Sequence, residues 1–421
     1  LHGKYAGGVS KNMEIPVMAE QSRLKGLQVL VTADILHKTW FEHAKNSLEE
    51  ESNGIYRDIG GKCHFIVGGE IEDNLRVHHL FYLPSLESAW EMREKMLSTG
   101  KAGVLDCSMC GRPKMRLTAE EFAAQVHDAG GIFGPAHSFT PYTGIFAHFD
   151  SLKNAYGQMH EHLKFIELGL SADTDMADTM KENHDYAFLT SSDAHSPWPN
   201  RIGREFNRVK MQKPDFKSLK KAVENRDGDD KLITLNAGLN PREGKYHCTA
   251  CNACFAKYSI EQAEALKWKC LNCRGEIKRG VRDRITMLSD TKPGAHPKFR
   301  PPYMHMLPLA EIIQACLGDK STNTKAVQSK WINFVGRFGN EIYVLVDAKE
   351  SELAEIDRAI ASKIISFRQG RVLYIPGGGG EYGKPVICDT QEELEAKKIE
   401  LARELSGISE IAAQRTLGEF R

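Results

Sequence analysis

The sequence predicts an α/β domain, then a small four-cysteine module, then a mostly helical C-terminal domain. Three observations carry this. Residues 1–235 alternate short apolar runs with amphipathic stretches. Repeated β-then-α units of this kind give parallel strands, open or closed into a barrel. Residues 236–290 hold five of the ten cysteines, all between Cys248 and Cys273. Such clustering suits metal binding in a reducing compartment rather than a disulfide framework. Residues 291–421 open on a Pro-rich linker, KFRPPYMHMLP, and then become helical in pattern.

The 421 residues allow two or three domains, and 41% hydrophobic with 27% charged residues is an ordinary globular balance. Net charge is zero, so any nucleic-acid contact must come from local basic patches. No apolar run approaches the length of a bilayer span and no signal peptide is evident. A cytoplasmic protein without a membrane partner is therefore expected. The chain opens at Leu1 without Met, so a few native residues are expected to precede it.

The first domain's strands are predicted at 27–32, 64–68, 77–83, 131–134, 163–168 and 186–190. Their β-branched and aromatic make-up, and their length, suit buried strands. Amphipathic stretches lie between, at 14–25, 86–97, 118–129 and 151–161. Thr118 followed by Glu121 reads as a capping box, and Gly130 as the stop.

The strand ends carry the chemistry. Asp34 follows the first strand and Glu70 the second. The third carries His78 and His79, of which only one can face a given side. His137 follows the fourth, Glu167 ends the fifth, and Asp193 and His195 follow the sixth. His2 stands at the start of the chain. In a parallel barrel these ends converge on one face, where active sites sit. Imidazoles and carboxylates gathered there would hold several metal ions; zinc, manganese or magnesium suit such ligands. A single strand-end Asp is more often a helix N-cap, and Glu167 could be a buried, satisfied carboxylate. Caps do not account for so many strand ends carrying ligand types at once. The loop after His137, with Phe139, Pro141 and Tyr142, could offer a stacking wall beside the site.

Cys251-x2-Cys254, then fifteen residues, then Cys270-x2-Cys273 fits a closed four-thiolate site for one structural zinc. Cys248 precedes Cys251 by three, so Cys248/Cys251 remains an alternative first pair. Residues 242–300 hold 13 Lys+Arg against 6 Asp+Glu, a net of +7. Interspersed aromatics make a polyanion the expected partner, with Lys278, Arg279, Arg282 and Arg284 the expected contacts.

Helices are predicted at 308–317, 323–337, 351–367 and 391–405, with a strand at 341–346. Thr324-Lys325 begins the second of these helices, an N-terminus able to face a phosphate. Residues 376–383, PGGGGEYG, lack the Gly-Lys-Ser/Thr ending of a phosphate loop. They are expected to be a mobile loop or to admit a ligand's backbone.

The strand-end ligands resemble those of the polymerase and histidinol phosphatase (PHP) superfamily. Glu70, His78, His137, Asp193 and His195 match its later motifs; Glu167 falls at a further one. His2 matches the second His of its opening His-x-His, and Asp34 stands where a His is common. The linked stretches KYHCTAC, KWKCLNCRGEIKRGVRDRI, RPPYMHMLPLAEII, NTKAVQ and IPGGGG make the chain similar to the endonuclease Q family over nearly its whole length.

That resemblance implies a distorted (β/α)7 PHP barrel over 1–235, a zinc module over 236–290 and a mostly helical DNA-binding domain over 291–421. It implies a metal-dependent DNA-repair endonuclease that cleaves 5′ of deaminated bases (uracil, hypoxanthine, xanthine) and abasic sites. Catalysis would rest on Asp193, His195 and Glu70. Metal would be held by His2, Asp34, Glu70, His78, His137, Glu167, Asp193 and His195. The tail QRTLGEFR is similar to a sliding-clamp-binding box through Gln414, Leu417 and Phe420, with Arg421 where an aromatic is usual. The clamp, proliferating cell nuclear antigen, is thus an expected partner. Competing expectations are a phosphatase acting on a small phosphate ester and a zinc-dependent nucleic-acid-binding protein without catalysis.

Overall fold

Each apolar run expected to be a strand in the first 235 residues contains one in the computed structural model, which describes residues 1–52, 54–106 and 113–403. The backbone groups into two compact units. The first comprises 1–169, 173–238 and 288–306; the second comprises 170–172, 239–287 and the chain from Leu307 onward.

In the first unit the strands are β1 (Val29–Val31), β2 (Leu48–Ser52), β3 (Ile55–Asp58), β4 (His64–Ile66), β5 (Gly68–Glu72) and β6 (His78–Tyr82). They continue with β7 (Ile132–Pro135), β8 (Phe165–Glu167), β9 (Ala187–Leu189), β10 (Phe206–Val209) and β11 (Ile233–Gly238). The second unit holds β12 (Ala250–Cys251) and β13 (Ile277–Lys278). β14 (Tyr303–His305) returns to the first unit, and β15 (Val372–Ile375) and β16 (Lys384–Ile387) lie in the second.

The sheets are mixed, not all parallel as expected. β1 pairs with β4, β8 with β9 and β11 with β14 in parallel. β5, β6 and β7 form an antiparallel sheet, and β2, β3 and β4 pair antiparallel. A parallel pair needs a crossover of about a dozen residues or more, and only the short turn Asp73–Val77 separates β5 from β6. The β2–β3 hairpin was missed because β2, LEEES, is mostly exposed and has no apolar alternation. Its signal was the Asn53-Gly54 pair. Sheets lie edge to edge: a Cβ on Gly134 of β7 would stand 2.3 Å from the Phe165 carbonyl oxygen of β8. No closed sheet forms among the described residues.

A core cluster gathers Ile66, Ile132, Phe165, Ala187, Leu189 and Ile233, one or two residues from each of several strands. Burying each of the larger side chains contributes about 1.5–3 kcal/mol. β9 shows how a strand divides its faces. Ala187 and Leu189 join that cluster, while Phe188 between them lies against the Arg300 guanidinium, 3.3 Å from ring centroid to Cζ.

Flanking helices follow their caps. Thr118 Oγ1 accepts from Glu121 N (3.2 Å) and Glu121 Oε2 accepts from Thr118 N (2.9 Å), starting the helix Ala119–Asp128. Thr324 caps Lys325–Phe338 through Val327 N. The stretch expected to be a strand at 341–346 is instead the helix Glu341–Val346. Asn340 caps it, and the buried Glu341 carboxylate accepts from Leu309 N (3.0 Å) and Trp331 Nε1 (2.6 Å). Those contacts outweigh the β-leaning side chains. The expected 351–367 helix is broken at Asp357, which caps Arg358–Arg368. Residues 391–403 are helical. The segment expected to be a linker contains β14, paired with β11.

The four consecutive glycines do not form a free loop. They pack on the cysteine module's own backbone. Gly378 N–H and Gly377 O join the segment to Glu381 and Cys248, and a Cβ on Gly379 (φ 68°) would stand 2.1 Å from Cys251 O. Gly379→Ala therefore combines a backbone clash with a left-handed φ. The expected result is a fall in thermal stability with earlier release of a metal held by the cysteines, read by calorimetry and a chelator assay.

Candidate metal centre

Two groups of ligand atoms form in the first unit, and Glu70, expected after a strand, lies in the middle of a strand. Glu70 on β5, His78 on β6 and His137 after β7 make one; His2, Asp193 and His195 make the other. Within each group the atoms lie within 4.8 Å of one another. His78 Nδ1 is 2.9 Å from Glu70 Oε1 and 3.0 Å from His137 Nε2. His2 Nε2 is 3.0 Å from Asp193 Oδ1 and 3.6 Å from Glu70 Oε2, so the groups adjoin. The alternation of β6 separates its two histidines. His79 turns to the other face, where Tyr156 Oη (2.8 Å) and Asp73 Oδ2 (3.2 Å) satisfy it.

Asp34 and Glu167 lie beside these groups rather than in them. Asp34 Oδ2 accepts from Gly3 N (2.6 Å), and its Oδ1 is 3.4 Å from His2 Nδ1, fixing the orientation of that ring. Glu167 accepts from the backbone N–H groups of His137, Gly169 and Ser191, so it ties the ends of β7, β8 and β9 together. Burial pushes its carboxyl up to about 8, despite those N–H donors. Gly169 (φ 73°) admits this approach: a Cβ there would stand 2.6 Å from His137 Cβ.

Sequence reasoning missed two supporting residues. Glu72 Oε2 lies 3.4 Å from His78 Nε2, the ring nitrogen turned away from Glu70. The His78 ring holds its carboxyl below the ordinary range. Its alternation with Glu70 along β5 was the available signal. Arg204 is buried and donates from Nε to Ser192 O (2.7 Å), which holds the loop bearing Asp193. No sequence pattern marks it.

The arrangement fits divalent cations. Buried carboxylates must be paired or coordinate metal, and here Asp34, Glu70, Glu72 and Glu167 are buried close together. The imidazoles bring further lone pairs to the same place. Ala33, His137 and Asp193 adopt left-handed φ values of 62°, 30° and 42°; such strain clusters at functional sites. A small cavity opens beside the groups, lined by Val31, Leu80, Tyr82, Glu70, His137 and Asp193. Of the loop expected to stack beside it, Phe139 is instead in the core, parallel to Phe146. Tyr142 is exposed.

Glu72→Gln keeps the shape of that side chain but removes the carboxylate behind His78. Losing such a partner typically costs about 10–100-fold in metal affinity or activity. The expected result is a loss of that size in metal affinity by titration calorimetry, with Tm little changed.

In the second unit Cys251, Cys254, Cys270 and Cys273 converge. The two Cys-x2-Cys turns repeat one hydrogen-bond pattern: Cys251 N to Ala256 O and Cys270 N to Gly275 O, Phe255 N to Cys251 O and Arg274 N to Cys270 O. Phe255 and Arg274 both have left-handed φ, 60° and 62°. Tyr258 Oη lies 3.1 Å from Cys270 Sγ. Cys248 is outside the group; its backbone bridges to Gly378. The closed set suits a structural metal.

Of the residues expected to meet DNA, Lys278 is paired with Glu276 and Arg282 with Asp283. Arg279 lies over the Trp268 ring at 4.9 Å, and Arg284 is half-buried in the helix Val281–Leu288. Gln414, Leu417 and Phe420 lie outside the described residues. No described helix is long and apolar enough to cross a membrane.

Fold and site define the class: an α/β protein with a His/carboxylate metal-ligand centre and a separate four-cysteine cluster. The family described as MJ0043 C-terminal domain matches residues 308–371. Protein YqxK of Bacillus subtilis is 31% identical over 387 residues, 87% of this chain and 91% of that protein. Protein MJ0043 of Methanocaldococcus jannaschii is 44% identical over 278 residues, 65% of this chain, and the match spans only 34% of its length. The crystal structure of the lesion-specific endonuclease PfuEndoQ from Pyrococcus furiosus is 42% identical with a TM-score of 0.84, covering 94% of this chain and 97% of that one. Endonuclease Q in complex with a 27-mer duplex carrying an abasic lesion at its active site is also 42% identical, with a TM-score of 0.85 over 93% and 95%. The chain belongs to the endonuclease Q family.

Proposed function

We propose that this chain is a metal-dependent DNA-repair endonuclease that hydrolyses the phosphodiester 5′ of deaminated bases (uracil, hypoxanthine, xanthine) and of abasic sites. The observation that carries this is the pair of adjoining ligand groups, linked by His2 and Glu70 at 3.6 Å, in a chain of the endonuclease Q family. Residues 1–235 supply a distorted (β/α)7 barrel of the PHP kind, 236–290 the zinc module and 291–421 a DNA-binding domain. The ligands are His2, Glu70, His78, His137, Asp193 and His195, with Asp34 and Glu167 in support. Zinc, manganese or magnesium bound there would acidify a water and offset charge on the attacked phosphate.

The residues themselves do the positioning. Asp193 and His195 stand at the rim, their side chains 31% and 38% exposed, where a phosphate can reach them. Glu70 and His78 are buried behind. His195 Nδ1 lies 3.0 Å from the Asp193 carbonyl oxygen, a contact that helps orient the ring. In this reading the lesion is selected by base flipping beside the centre, because a lesion that pairs poorly costs less to extrude. Lys278, Arg279, Arg282 and Arg284 are proposed phosphate contacts. The clamp contact through Gln414, Leu417 and Phe420 is proposed from the tail sequence alone.

A cleavage panel tests the reading: uracil, hypoxanthine, xanthine, abasic and undamaged duplexes, each with magnesium, manganese and zinc. The expected product is a single nick 5′ of the lesion, absent from undamaged DNA and abolished by chelator. Turnover of a small phosphomonoester, with no nick on any duplex, would overturn it.

A further inference from the structure

Two histidines that the metal centre does not use meet on the surface of the first unit. His127 stands in the last turn of the helix Ala119–Asp128, and His162 ends the 3₁₀ helix Gly157–His162. Both are exposed. Their ring centroids are 4.1 Å apart, with the planes tilted by 44°. Among the described residues no hydrogen bond engages either imidazole. Two exposed rings bury little apolar area against each other, so packing alone gives the pairing a small return.

The backbone beneath both rings is fixed. Thr118 and Glu121 cap the start of the helix, and Gly130 N donates to His127 O (2.9 Å) at its end. Leu163 N donates to His160 O (3.1 Å), which closes the turn carrying His162. Glu120 joins the two elements, its Oε1 accepting from Gln158 N (2.8 Å). Gly157 (φ 52°) permits this approach, because a Cβ there would run into the Glu120 carboxylate. The fold therefore sets the two imidazoles side by side. It also sets them away from the metal centre. His127 precedes β7 and His162 precedes β8, whereas His137 and Glu167 stand at the far ends of those strands.

Imidazole is the commonest protein ligand for late transition metals. The exposed carboxylates of Asp128 and Glu161, each next in sequence to one of the pair, favour a cation here, although Lys95 pairs with Asp128 at 2.9 Å. We propose that His127 and His162 form a two-imidazole site for one late first-row divalent cation: copper(II), nickel(II) or zinc(II). Among the described residues no third His, Cys, Asp or Glu joins the pair within ligand distance, so water completes the coordination. Two imidazoles on one tetrahedral ion stand with centroids about 5 Å apart, given metal–nitrogen bonds of about 2.1 Å. Each ring thus turns outward slightly to bind, a motion exposed side chains make in picoseconds to nanoseconds. The bound ion ties the end of the helix Ala119–Asp128 to the turn that leads into β8. It stabilises the first unit as any ligand held only by the folded state does.

The test titrates nickel(II) into the full chain by calorimetry, with zinc already on the cysteines. The wild type is expected to bind one more equivalent of nickel than His127→Ala or His162→Ala. Affinity at this site should fall about 10²-fold in each, the scale on which a second preplaced ligand raises affinity. The double variant should lose no more than either single one, because both rings hold one ion. Both positions are exposed, so the metal-free Tm and the zinc content should stay unchanged. His127→Gln and His162→Gln, polar and of similar reach, repeat the measurement where an alanine variant loses stability. Equal stoichiometry and affinity in wild type and variants would overturn the inference and leave the rings as a packing contact. Partial losses that add in the double variant would also overturn it, since they mark two independent single-ligand sites. Nicking of DNA does not enter the measurement, so its outcome is separate from that of the proposed function.

Discussion

Asp193→Asn is expected to abolish nicking of uracil-containing DNA while leaving DNA binding largely intact. Asp193 supplies Oδ1 to the group with His2 and His195, 3.0 Å from His2 Nε2. An amide presents one neutral oxygen and a nitrogen that cannot ligate in its place. The loss should exceed the ~10–100-fold typical of removing a ligand's supporting partner; we expect ~10³-fold or more, about 4 kcal/mol in the barrier. Asn is the right replacement because Asp193 has φ 42°, and Asn tolerates the left-handed region better than other side chains. Arg204 Nε still holds Ser192 O, so the loop keeps its path. Single-turnover nicking with anisotropy on the same duplex measures both quantities. Undiminished nicking would remove Asp193 from the reaction, and lost binding would make it a folding residue.

Arg300→Met is expected to destabilise the first unit by about 3–5 kcal/mol, the cost of stranding one partner of a buried ion pair. Arg300 and Asp178 are both buried, and the guanidinium meets both carboxylate oxygens, at 3.0 and 2.8 Å. Its remaining donors reach the Tyr186 and Asn183 carbonyls, 2.7 and 3.0 Å away, and its face lies on Phe188. Met restores apolar contact with Phe188 but leaves Asp178 to His296, whose Nδ1 is 2.7 Å from Oδ2. A fall in Tm of about 10 °C should follow in calorimetry. The consequence reaches the centre, because Tyr186 opens the segment through β9 that ends at Asp193. Metal affinity should therefore fall before unfolding is complete. A shift of less than about 2 °C would mean the pair contributes no more than a surface one.

Much of the centre was legible in the sequence because strand ends impose an order on ligand types. A short apolar run followed by Asp, Glu or His recurs at β1, β4, β7 and β9, although Glu70 lies inside β5 rather than in a loop, and alternation alone predicted that one of His78 and His79 would turn away. Cysteine spacing marked the second cluster but left Cys248 in contention; the repeated hydrogen-bond pattern of the two turns separates Cys251 and Cys254 from it. Local pattern failed where distant contacts chose the conformation. EIYVLV has the composition of a strand, yet the Glu341 carboxylate, bonded to Leu309 N and Trp331 Nε1, holds it as a helix. Four consecutive glycines read as freedom, yet the Glu381 and Gly244 carbonyls leave no room for a Cβ on Gly377, nor the Cys248 carbonyl on Gly378, nor the Cys251 carbonyl on Gly379.

By itself the sequence determined which residue types stand at the strand ends, the four-thiolate spacing and the local excess of positive charge. These are properties of short segments, set by periodicity and side-chain chemistry. Tertiary structure alone decided that His2, at one end of the chain, lies 3.0 Å from Asp193. It also decided that Glu72 backs His78, that Glu167 ties strand ends by their N–H groups, and that the sheets are mixed. Such facts depend on which distant segments pack together. Burial and hydrogen-bond satisfaction of the whole chain govern that choice, and no local pattern contains it.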